Sequence, residues 1–175
     1  MRLKVLLVIL FVASNLVILP LYYRSEKQDF RGLVTFLKDQ LREGDKIVDG
    51  EMGYMPGILH YFGVYPEGRH YSIPFWKVSE KEIELRKSFL YKNRVFTIYA
   101  STSCCARYLT DESRLWIVVE KCKAKKLKQD PRFILKGYFD GSFLNFAKFP
   151  TDASMYLFLC DPESPGEKGI DLPIE

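Results

Sequence analysis

A chain of 175 residues that is 47% hydrophobic and 15% aromatic can bury a real core, and its length less an apolar N-terminal run and a polar tail fits one domain. Its net charge of +4 is small and dispersed, and no recognition motif for nucleic acid occurs, so nucleic acid is not an expected partner. No internal repeat is visible.

Val5 to Tyr23, VLLVILFVASNLVILPLYY, is nineteen residues without a charge. As a helix rising about 1.5 Å per residue it reaches about 28 Å, close to the roughly 30 Å hydrocarbon core of a bilayer. Residues 1–24 are therefore expected to form a single-pass membrane anchor. A secretory signal peptide is the competing reading, because Arg2 and Lys4 supply a basic start. Against it, the run exceeds the usual apolar stretch of about 7–15 residues, and the cleavage candidate Ala13-Ser14-Asn15 sits in its middle. Tyr22, Tyr23 and Arg24 close the run with residue types that favour the membrane interface. Arg2 and Lys4 on one side nearly balance Arg24, Lys27 and Arg31 on the other, so the positive-inside rule does not set the orientation.

Beyond the anchor, helix and strand signals alternate. Phe30, Leu33, Val34, Leu37 and Leu41 share one helical face, with Asp29 placed as the cap and Gly44 as the stop, which predicts a helix over 30–42. A short strand follows at Lys46 to Asp49. Beyond the Gly50–Gly53 turn, Pro56 to Phe62 reads as a helix ended by Gly63. His70 to Ile73 reads as a strand, and Ser79 with Glu82 forms a capping box before a helix reaching about Leu90. Val95 to Ala100 and Leu115 to Val119 are the strongest strands, with a short helical segment Cys104–Leu109 between them. Pro131 opens a further predicted helix ending near Tyr138, Gly141 breaks it, and Phe143 to Lys148 and Met155 to Cys160 read as a closing pair of strands. The pattern predicts an α/β fold: an N-terminal transmembrane helix, then over 25–161 a layered α/β domain with a mainly parallel sheet and an antiparallel edge. The tail over 162–175 is rich in Pro, Gly and charge and is expected to be disordered.

In such sheets ligands gather beyond the carboxyl ends of the strands, which singles out Asp49, Glu51 and Tyr54 after the first strand, and the loop holding Cys104 and Cys105 after a later one. The glycines Gly50, Gly53 and Gly57 match neither the dinucleotide fingerprint nor a Walker loop, and no G-x-S-x-G elbow occurs. Glu51 is a possible acid or base, set against the plainer role of a solvated loop carboxylate. A thiol at a helix N-terminus with Arg107 nearby would be an activated nucleophile, but a Cys-x5-Arg phosphate loop and a C-x-x-C pair are both absent. With Cys122 and Cys160 the cysteines number four, which leaves buried thiols, one structural disulfide and reactive chemistry all open. Only His60 and His70 are available as imidazole ligands, and neither has metal-site spacing to the cysteines. No metal and no cofactor is expected. Lys121, Lys123, Lys125, Lys126 and Lys128 form the one dense basic cluster, either a solvated loop or helix start after a strand or a contact for anionic lipid headgroups or a lipid-linked phosphate close to the membrane.

The apolar run ending in tyrosines, the segment DFRGLVTFLKDQLREGDKIV with Asp29, Phe30, Arg31, Leu37, Gly44 and Asp45, and the strand-like RLWIVVE around Trp116 together resemble the C-terminal end of polytopic membrane glycosyltransferases. These are the relatives of protein mannosyltransferases and aminoarabinose transferases, which take sugar from a polyprenyl-phosphate carrier. The resemblance covers about residues 5–160. It implies a soluble α/β domain on the extracytoplasmic side, following the last membrane helix. The catalytic carboxylate of that family lies in an early loop that has no counterpart here, so no catalytic residue carries over. The resemblance thus implies a fragment, a split gene product or a stand-alone descendant of the accessory domain. Its partners would be the bilayer, a polytopic glycosyltransferase membrane domain and a lipid-linked sugar. The alternative is a single-pass binding or interaction module without sugar chemistry.

Overall fold

Asp29 caps the first helix of the layered fold as its spacing requires. In the computed structural model, which describes residues 4–5, 7–8, 10–16, 28–51, 53–64, 84–101, 114–145, 148–163 and 167–174, Asp29 Oδ1 accepts the Gly32 N–H at 2.7 Å. That bond caps helix α2, Phe30–Gln40, whose Leu33, Val34 and Leu37 are buried. An earlier helix, α1, comprises the described residues between 4 and 16. Among the described residues no helix is long and apolar enough to cross a membrane. The second half of the expected span, residues 17–23, lies outside the described residues, so the expected transmembrane helix is not supported by α1 alone.

Strand β1, Lys46–Asp49, leads through the Gly50 turn into α3, Met55–Phe62, which ends at Gly63 in a left-handed conformation. The other strands are β2, Glu84–Tyr91; β3, Arg94–Ser101; β4, Leu115–Val119; β5, Ile134–Phe139; β6, Ser142–Asn145; β7, Lys148–Asp152; and β8, Met155–Cys160. Helix α4, Lys121–Leu127, follows β4 directly. Six strands form one sheet in the order β2-β3-β1-β4-β8-β5, and β6 and β7 form a separate two-stranded sheet.

The centre of the large sheet is parallel, with Ile47 registered against Ile98 on one side and Trp116 on the other. Strand β2 joins antiparallel to β3, and β8 lies antiparallel between β4 and β5. Four of the six strands, β1, β3, β4 and β5, therefore point one way, as a mainly parallel sheet requires. The antiparallel component lies on both sides of the parallel centre instead of at one edge.

Alternation along the strands builds two cores. Ile47, Ile98, Trp116, Val118, Leu157 and Leu159 pack with α2 and α3 on one face. Val48, Ile117, Val119, Tyr156 and Phe158 pack with Ala124 and Leu127 of α4 on the other. Leu33, Leu37, Ile58 and Phe158 are fully buried, and each such side chain stabilises the fold by about 1.5–3 kcal/mol over leaving it exposed.

Several expected elements differ. The helix predicted to reach Leu90 is instead strand β2 over its described part: Phe89 is buried between exposed Ser88 and Leu90, a period of two. Lys92 and Asn93, at φ 49° and 61°, close a tight β2–β3 hairpin of the kind that needs two positive φ values. The helix predicted from Pro131 is instead a turn held by Asp130 followed by strand β5, and Phe133 just before the strand and Leu135 and Gly137 within it are buried in alternation. The lysine-rich stretch before it is the helix.

Phe143 to Lys148 spans β6 and the first residue of β7, so it does not pair with β8; β6 pairs with β7, while β8 enters the large sheet. The tail is expected to be disordered; its described residues have no helix or strand but make contacts with the sheet. Ile170 N–H donates to Leu135 O of β5 at 2.8 Å, and Leu172 and Ile174 pack on the second core. The predicted strand His70–Ile73 and helix Cys104–Leu109 lie outside the described residues.

Candidate functional site at the carboxyl end of the central strands

Asp49 closes β1 with its side chain fully buried. Its Oδ1 accepts the Glu51 N–H at 2.9 Å, and its Oδ2 accepts those of Tyr54 and Met55 at 2.8 and 2.7 Å. Tyr54, at the cap position of α3, makes no side-chain cap bond, so Asp49 satisfies that helix start from five residues upstream. Burial raises the Asp49 carboxyl above its ordinary value, against the pull of the three backbone donors, and the Glu51 charge adds to the rise.

Glu51 is tied down as well. Its Oε1 accepts the Glu120 N–H at 3.1 Å and its Oε2 pairs with Lys123 Nζ at 2.9 Å. Lys123 also donates to Gly50 O. Gly50 itself packs so tightly that a Cβ there would meet Val119 Cγ1 at 2.6 Å. The loop is thus stitched to the β4–α4 junction. Tyr54 is buried with its ring edge-on to Phe30 at 5.9 Å, and burial followed by the charges of Glu51 and Glu120 raises its hydroxyl well above the ordinary tyrosine value. Asp49, Glu51 and Tyr54 thus lie together at the carboxyl end of β1, where the Asp49 and Glu51 carboxylates are occupied in holding the chain and the Tyr54 ring packs on Phe30.

The five lysines separate. Lys123 belongs to the Glu51 cluster, Lys121 lies 3.8 Å from Asp152 in β7, and Lys128 donates to Leu172 O in the tail. Lys125 and Lys126 are exposed on α4. Cys104 and Cys105 lie outside the described residues. Cys122 is exposed and Cys160 half-buried, both as free thiols, and burial raises the Cys160 thiol. His60 is exposed on α3 with its ring edge-on to Tyr61. Among the described residues no cluster of three His, Cys, Asp or Glu side chains could hold a metal.

A second polar centre lies at the opposite end of the sheet. Arg114, just before β4, donates from Nη1 to Asp45 at 2.9 Å and from Nε to Asp161 at 3.0 Å. Asp45 Oδ2 also accepts Trp116 Nε1 at 2.8 Å and the Arg42 N–H at 2.9 Å. Arg42, Asp45, Arg114 and Asp161, with Glu43, Gly44 and Glu163, line a cleft of about 220 Å³. Sequence reasoning had Asp45 and Trp116 among its motif residues without joining them. Their 71-residue separation hides the contact, and the usable signal was a Gly-Asp before one strand and an Arg-x-Trp at the start of another.

No protein-family model matches the chain, nor does any curated protein or solved structure.

Proposed function

We propose that this chain is a membrane-held, non-catalytic α/β domain, acting as an extracytoplasmic accessory part of a glycosyltransferase that uses a lipid-linked sugar. The observation that carries the membrane half of this reading is the bare surface of α1. Val5, Leu7, Val8, Leu10, Phe11, Val12 and Leu16 are all between 49 and 70% exposed, so apolar side chains surround the helix without protein cover. The polar residues within it suit a lipid setting, since Ser14 Oγ and Asn15 Nδ2 both donate to Phe11 O at 2.8 Å.

The non-catalytic half is supported by the commitments of Asp49, Glu51 and Tyr54. A general acid or base must reach a substrate proton, and Asp49 offers both oxygens to its own backbone instead. The glycosyltransferase assignment draws on the resemblance described above. Its motif residues Asp45 and Trp116 join with Arg114 as one structural staple, a role suited to an accessory domain.

Membranes in which the chain is the sole added protein should transfer no sugar from a polyprenyl-phosphate donor. In intact cells the domain should be open to protease from outside, and cross-linking should capture a polytopic glycosyltransferase. Transfer by the chain alone overturns the accessory role. An extracytoplasmic domain that cross-links to no such enzyme favours the single-pass interaction module.

A further inference from the structure

Strand β5 is one edge of the six-stranded sheet, paired with β8 on its inner side. Such an edge offers backbone groups to any extended chain that reaches it. Here the described part of the chain's own tail lies against it: the Ile170 N–H donates to Leu135 O at 2.8 Å. Gly169 passes so close to the strand that a Cβ there would meet Leu135 O and Ile134 Cγ2, each at 2.9 Å. A side chain at that position would be driven into the backbone of β5.

Two lysines hold the segment on either side of that contact. Lys136, on β5, donates to Lys168 O at 3.1 Å and pairs with Glu167 at 2.8 Å. Lys128, at the end of α4, donates to Leu172 O at 2.7 Å. Leu172 and Ile174 pack on the second core, which includes Leu127 and Leu135. The seat thus selects for glycine against the strand, aliphatic side chains at alternate positions beyond it, and negative charge beside Lys136. Its grip is light. Residues 167–171 are exposed, Ile170 by 48%, and among the described residues a single backbone bond ties the segment to β5. Segments held this way open at a small part of the free energy that unfolds the core.

We propose that the edge of β5 and the end of α4 form a peptide-docking groove, occupied in this structure by the chain's own tail. Its external ligand is an extended segment of a partner protein with the same chemistry: glycine, then alternate aliphatic side chains, with acidic neighbours in the places of Glu167 and Asp171. Backbone pairing to the sheet edge supplies affinity in this mode of recognition, and the pockets for alternate side chains supply specificity. The tail is the resident competitor. A short linker, residues 161–166, joins it to β8, which sets its effective concentration in the millimolar range. A partner segment therefore enters only where its own affinity or local concentration overcomes that. The groove does not depend on the membrane-held reading, and its failure would leave that reading untouched.

The test uses the purified full chain in detergent, a fluorescein-labelled peptide of residues 166–175 as the probe, and anisotropy as the readout. Leu172→Asp with Ile174→Asp in the chain should release the tail and free the groove. That variant should bind the peptide about tenfold more tightly than wild type, whose tail competes. The same two substitutions placed in the peptide should abolish binding. A folded variant that binds the peptide no better than wild type overturns the groove. Equal binding of the substituted peptide overturns it too, because the contact is then one of charge alone. A second measurement covers a variant that does not fold: a protease site inserted between Ser164 and Pro165 is cut in the folded chain of otherwise wild-type sequence. Excess labelled peptide should then replace the cut tail, read by native mass spectrometry, and a tail that the peptide does not replace overturns the proposal. Wild-type chain that is a dimer and falls to monomer on adding the peptide makes a second copy's tail the occupant, and overturns the partner assignment.

Discussion

Asp49 shows how a residue placed correctly by sequence can serve a different purpose. A carboxylate at the carboxyl end of a parallel strand is legible as a site candidate, but its complete burial and its three backbone donors are not. Removing it in Asp49→Ala strands donors that are buried with it, and the unfolding free energy should fall by about 2–5 kcal/mol in urea titration. The pH dependence follows from its raised folded value. Above that value the group is charged in both states and its burial costs stability; as the pH falls through it toward the ordinary 3.8, the native state takes up the proton first and the cost is relieved. The stability gap between the wild type and Asp49→Ala should therefore widen as the pH falls from neutrality into that window. A gap that narrows would contradict the assignment. Arg114 is the converse case, a residue whose partners lie far away in sequence. Arg114→Leu leaves the buried Asp45 carboxylate without its cation and Asp161 with only Arg42 at 4.0 Å, and should cost about 3–5 kcal/mol, measured the same way. Arg114→Lys should recover only part of this, because one ammonium cannot serve both carboxylates and Gln40 O in the same fork.

At the scale of elements, legibility followed the strength of local signals. Helix α2, strand β1, helix α3 and strands β3, β4 and β8 lie where capping residues, glycine stops and β-branched runs place them. The two misread segments share a cause: each mixes charged and apolar residues over a span short enough to fit either period. In ELRKSFLY the deciding information sits outside the segment, in the Lys92-Asn93 turn that folds it back on β3. That turn gives a direct check. Asn93→Gly should leave the melting temperature unchanged or raise it, whereas Asn93→Val should destabilise the domain by about 1–2 kcal/mol, the cost of a left-handed conformation for an ordinary side chain. In strand β5 the competing signal was Pro131 as a helix opener, overridden by pairing with β8. In the described part of the tail Ile170 meets β5, a contact that composition does not reveal because it depends on an available sheet edge. Ile170→Pro deletes the N–H that reaches Leu135 O, and hydrogen exchange should then speed at tail amides while the central strands stay protected.

For the whole molecule, the described residues form a layered α/β body with two cores and an N-terminal helix whose described apolar side chains are exposed. The domain accounts for its own polar groups at both ends of the sheet: Asp49 and Glu51 at one, Asp45, Arg114 and Asp161 at the other. Sequence patterning shows the apolar run and the α/β class, because both depend on local composition. It does not show at which end of the sheet Gln28 enters the fold, because that depends on Gln28 meeting Gly141 across 113 positions of chain. The contrast between α1 and the rest of the fold makes membrane attachment the centre of the account. The most direct measurement is flotation of the purified full chain with neutral phosphatidylcholine vesicles after an alkaline carbonate wash. Wild-type chain should float with the vesicles, and Leu10→Asp with Phe11→Asp should leave the α/β fold intact but in the dense fraction. A wild-type chain that stays folded and fails to float would contradict membrane attachment.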